Sequence, residues 1–172
     1  MSSITPSFEQ AIEIAFLWCS AWDEGELSDE VIAERVSELI TTPEGARGFF
    51  VVSLASDCPL LDRLPDILVM KLREAGDPII DLTVRNLAMS SAMALHHQRQ
   101  DDHQQKEGSE RVMMRCKELL KLLDPNQVRN RLERILNAIN GEGEYLAFLE
   151  KWNYDSEQKQ AITNSVMSVA EA

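Results

Sequence analysis

The stretch at residues 77–110 most constrains what this chain can fold into. Its first half, 78–95, is dense in Ile, Leu, Val, Met and Ala, whereas its second half, 96–110, reads HHQRQDDHQQKEGSE without one hydrophobic residue. Asp77 at the N-cap and Pro78 at the first helical position form a strong helix start, because the proline lacks an N–H that would be unpaired there anyway. At about 100° per residue, Ile80, Val84, Leu87, Ala88, Ser91, Ala94 and Leu95 share one broad face. Leu82, Met89 and Met93 make a second apolar stripe, and Asp81 and Arg85 fall in the polar gap, four apart and acid first. A helix apolar on two sides is packed on two sides, so the expectation is a long central helix starting at Pro78. Its polar continuation over 96–110 is then a projecting helix or a loop.

The remaining segments are read by the same periodicity. Ser7 and Gln10 make a capping box for a helix whose Phe8, Ala11, Ile12, Ala15, Trp18, Cys19 and Trp22 face inward. Ile14, Leu17 and Ala21 widen that stripe beyond what one packing partner needs. Ser28 and Thr42-Pro43 open two further helices. The run around residues 49–54 is rich enough in Phe and Val for a strand, but no second strand is available to pair with it, which favours a buried helix. Gly76-Asp77-Pro78 joins two helices almost without a loop, Asp124-Pro125 starts another, and Asp155 or Ser156 caps the last. Residues 128–139 carry the cleanest 3.6-residue repeat of Val, Leu and Ile. The predicted fold is all-α, a compact bundle of eight or nine helices in a single domain over residues 1–172.

Charge narrows the function. The formal net charge is −12, and residues 1–62 hold twelve Asp/Glu against two Lys/Arg. Such a front third repels phosphates, which argues against nucleic acid and anionic membrane surfaces there. Residues 111–134 reverse the sign, with seven cations (Arg111, Arg115, Lys117, Lys121, Arg129, Arg131, Arg134) against three acids. A match between this patch and the acidic front third, within or between chains, is a more economical use of it than DNA. Cys19, Cys58 and Cys116 are too dispersed for a disulfide framework or a zinc site. No apolar run reaches the roughly 18 residues of a membrane span, and no basic, apolar leader opens the chain. The expected location is cytoplasmic.

Chemistry-bearing residues are few. His96, His97 and His103 fall within eight residues. His97 with Asp101, and His103 with Glu107, have the four-residue spacing of helical metal ligands, yet each pair supplies only two donors. No nucleotide-binding or nucleophile-elbow motif occurs, and Cys58 has no neighbouring base. No cofactor is implied. The leading expectation is therefore a non-enzymatic, self-associating protein–protein interaction protein, with Trp18, Trp22, Leu17 and Ile14 as its interface candidates. The alternative is a small helical metal-binding protein or metal-dependent hydrolase built on His96, His97, His103 and nearby carboxylates.

Overall fold

A computed structural model of the protein describes residues 5–171, and these form nine α-helices and no strand. The all-helical expectation is met, the doubtful run at 49–54 included: it lies inside a helix that starts at Pro43 and runs to Ala55. The chain divides into two compact units, one through Ile79 and one from Ile80 onward.

In the first unit, α1 (Phe8–Asp23) packs on α3 (Pro43–Ala55), and α2 (Asp29–Leu39) packs on α4 (Asp66–Ala75). The α1–α3 approach is close because Gly48 has no side chain. A Cβ at that position would lie 2.4 Å from the Ala11 Cβ and 2.9 Å from the Ile12 backbone nitrogen. Ala11, Ala15 and Cys19 of α1 are buried along this seam, with Phe49, Phe50 and Val52 of α3 filling the space around it. The starts of α1, α2 and α3 are capped by side chains, whereas α4 follows Pro65 without a side-chain cap. Ser7 and Gln10 form the expected capping box, Ser28 accepts from the Val31 amide, and Thr42 accepts from the Gly45 amide ahead of Pro43. The turn from α1 to α2 needs a left-handed residue and has Gly25, at φ +81°, where a Cβ would strain the backbone. Leu60 and Leu61, in the α3–α4 connection, are buried beneath it.

The second unit is arranged around α5, which runs from Asp77 to Arg99 and belongs to this unit from Ile80 onward. Of its broad face, Ile80, Val84, Leu87, Ala88, Ser91 and Ala94 are buried as the wheel predicts, and Leu95 at the end is half-buried. Its second stripe is more open than predicted: Leu82 and Met89 are half-buried and Met93 is exposed. Thr83 and Ser90 are buried instead. The reason is that small hydroxyl side chains are satisfied inside a helix by a carbonyl one turn back, as Ser90 is by Leu87. They therefore occupy tight positions that polarity alone assigns to solvent. The Ser91 hydroxyl donates to the Leu87 carbonyl and, at 2.7 Å, accepts from the Ser165 hydroxyl of α9 (Ser156–Ala170).

The other elements are α6 (His103–Leu122), α7 (Pro125–Ile139) and the short α8 (Leu146–Lys151). α7 contacts α8 and α9, and α6 contacts both α7 and α9. Asp124 caps α7 through two backbone amides, and Asp155 with Gln158 forms a capping box on α9.

Candidate interaction surface

The first candidate, the histidine segment, is divided by a turn. α5 stops at Arg99, Asp101 takes a left-handed φ of +53°, and α6 begins at His103 with the Asp102 carboxylate accepting from the Gln105 amide. This corrects the expectation that His97 and Asp101 share one helix face. A short carboxylate side chain tolerates left-handed backbone, so the chain turns at Asp101 rather than continuing. His103 and Glu107 do share α6, both exposed. His96 and His97 stack edge to face, with ring centres 5.5 Å apart. Among the described residues no group of three or more His, Cys, Asp or Glu side chains is placed to hold a metal ion.

The basic run over 111–134 is also redistributed. Arg115 is only 3% exposed. Arg131 and Arg134 reach Glu144, and Arg131 also lies 3.7 Å from Asp81. Asp81 in turn accepts from the Tyr145 hydroxyl and pairs with Arg85 at 3.1 Å. The Arg85 guanidinium lies 5.0 Å from the centre of the buried Tyr145 ring and 5.1 Å from that of Phe148. Burial, then the hydrogen bond to Asp81, pushes the Tyr145 hydroxyl well above its ordinary range. The cluster ties α5, α7 and the start of α8 together, and its cations are turned to carboxylates of their own unit. What remains outward from the basic run includes Lys121 and Arg129.

The outward side of α1 is different in kind. Phe16 is 57% exposed and Leu17 66% exposed, large apolar side chains in a helix whose opposite side is fully packed. Helical spacing sets them roughly 100° apart. Between them runs a ridge of exposed Glu9, Glu13 and Glu24. On the Leu17 side, Ile14 and Trp18 are half-buried and line a cavity of about 570 Å³ with Thr5, Pro6, Glu38 and Leu39 among its walls. On the Phe16 side lies a second cavity of about 470 Å³, walled by Ser20, Asp23, Glu24 and the 55–58 segment. Isolated exposed apolar residues are ordinary on a protein surface; here the exposed Leu17 has the half-buried Ile14 and Trp18 three residues before it and one after it, on the same side of α1.

The structure thus brings together three of the four interface residues that the sequence nominates. The fourth, Trp22, stands apart. Its indole N–H donates to Asp29 at 2.8 Å and the Arg63 guanidinium lies 5.3 Å from its ring centre, so it fastens the α1–α2 corner. Trp18 has a similar cover, the Arg35 guanidinium at 5.8 Å. Phe16 was not nominated. The signal for it was its position on the wheel, on the same outward side as Glu9 and Glu13 and away from Ala11 and Ala15.

A family model described as uncharacterised conserved protein UCP020893 matches residues 7–169, and the chain belongs to that family. The match takes in all nine helices, apart from the last residue of α9. Neither the curated proteins nor the solved structures include a match to the chain. No helix of the described residues is long and apolar enough to cross a membrane.

Proposed function

We propose that this member of the family is a non-enzymatic interaction protein that associates with copies of itself through the outward side of α1. The observation that carries the reading is the exposure of Leu17 beside Ile14 and Trp18. A rigid helix presents an apolar strip there, next to an open cavity, with a polar ridge along one edge. An apolar centre with a polar rim is the usual anatomy of a protein–protein contact, and Trp is among the residues that most often carry its energy. Nothing in the arrangement of the histidines favours the metal-dependent alternative over this reading.

The test is sedimentation equilibrium of the full chain over a broad dilution series, with wild type beside Leu17→Glu. Leu17 is exposed, so a charge there leaves the fold intact, as far-UV circular dichroism will verify. Wild type is expected to show reversible mass above the monomer and L17E to lose it. A wild type that stays monomeric at every concentration contradicts the proposal.

A further inference from the structure

The partner surface for the Leu17 strip follows from charge and shape in the second unit. Between α7 and the C-terminal ends of α6 and α9 lies an open groove of about 600 Å³. Its floor is apolar, made by Leu120, Leu123, Val128 and Leu132, all buried. Its rim carries Lys121 and Arg129, with Glu133 as an acid beside them. Lys121 makes an exposed pairing with Glu118 at 3.4 Å, which holds it weakly. Arg129 is exposed and makes no ion pair among the described residues. Groove volumes of this order accept a few side chains, and a groove between helices is a common seat for an amphipathic helix.

The Leu17 face has the converse character. Leu17 stands exposed there beside the half-buried Ile14 and Trp18, Glu13 and Glu24 edge it, and α1 contains no Lys or Arg at all. Resting on the self-association reading, we infer that α1 of one copy docks into the α6–α7–α9 groove of a second copy. Leu17 enters the groove, and the carboxylates of Glu13 and Glu24 meet the Lys121 and Arg129 rim. The contact joins two different surfaces, so each copy offers one knob and one groove. It uses the exposed remainder of the basic run where Arg131 and Arg134 are committed elsewhere. Paired opposite charges at a rim speed encounter and fix orientation more than they add affinity, so added salt weakens this association.

Two variants of the full chain and their mixture test this. L17E removes the knob. Arg129→Glu combined with Ala170→Glu blocks the groove at two exposed positions, and Lys121→Glu is a second groove variant should that pair lose helicity. The expected result is that each variant alone associates at least tenfold more weakly than wild type, while an equimolar mixture forms a heterodimer, since each partner retains the surface the other lacks. A groove variant that associates as wild type does, or a mixture that stays monomeric, overturns the inference and leaves self-association through α1 standing. A wild type that is monomeric throughout removes both.

Discussion

Gly48 is where a single side chain decides a helix contact. The space a methyl group would need is already held by Ala11 and by the α1 backbone at Ile12, neither of which can swing aside. Gly48→Ala is expected to destabilise the protein by about 1–3 kcal/mol, the usual cost of overpacking, although alanine is the better helix former. Gly108→Ala in α6 is the control. Nothing lies within 4 Å of a Cβ there, and the change is expected to stabilise by about 0.5–1 kcal/mol through backbone entropy. Urea denaturation of both variants checks the opposite signs. Thiol reactivity divides in the same way. Cys116 is buried, and desolvation pushes its thiol far above the ordinary range, whereas Cys58 is half-buried with its Sγ 3.3 Å from the Cys19 carbonyl oxygen. A thiol reagent is expected to label Cys58 in the folded protein and Cys116 only as it unfolds, with peptide mapping as the readout. Neither Gly48 nor the division among cysteines was legible in the sequence, because each depends on which helix lies opposite.

At the scale of elements, helix starts were the most legible feature. Ser7, Ser28, Thr42, Asp124 and Asp155 all cap where their spacing to Gln, Pro or the first apolar residue places them. A cap is a local arrangement, so a few consecutive residues specify it. The break in the polar stretch was not legible, since no apolar periodicity crosses it and only the left-handed Asp101 marks the corner. At the last residue of α5, Arg99 pairs with Asp155 at 2.7 Å and with Glu157 at 3.3 Å. The Arg99 hydrogen bond, followed by the Gln158 amide, holds the Asp155 carboxyl below its ordinary value of 3.8. A carboxyl lowered on folding stabilises the fold above that value, and the contribution is lost as the pH falls through the folded-state value. Asp155→Asn is therefore expected to be less stable than wild type at neutral pH, with the gap closing below pH 3.8. Thermal unfolding at a series of pH values measures that gap. In the second unit, Asp81→Ala takes a carboxylate from Arg85, Arg131 and the Tyr145 hydroxyl together. About 1–3 kcal/mol of stability is expected to go with it, read by urea denaturation.

For the whole molecule, the lopsided charge was plain from the sequence, but its use was not. Of seven cations in one run, the fold buries Arg115 and pairs Arg131 and Arg134 with Glu144. A linear sequence does not say which side of a helix will meet a carboxylate ten or more residues away. The proposed site was legible in part for a related reason. The excess width of the α1 stripe pointed to Ile14 and Leu17, while Trp18 and Trp22 of the inward face were nominated as large aromatics, and the corner needs Trp22 for itself. What the fold adds is a ridge of carboxylates along the apolar strip and, in the second unit, a groove edged with cations. Self-association through α1 is most directly tested by placing a photo-crosslinking amino acid at position 17 and irradiating the purified protein. The account predicts a covalent dimer whose yield rises with concentration and falls with added salt, linked from position 17 to a second copy. Irradiation that leaves only monomer at every concentration contradicts it.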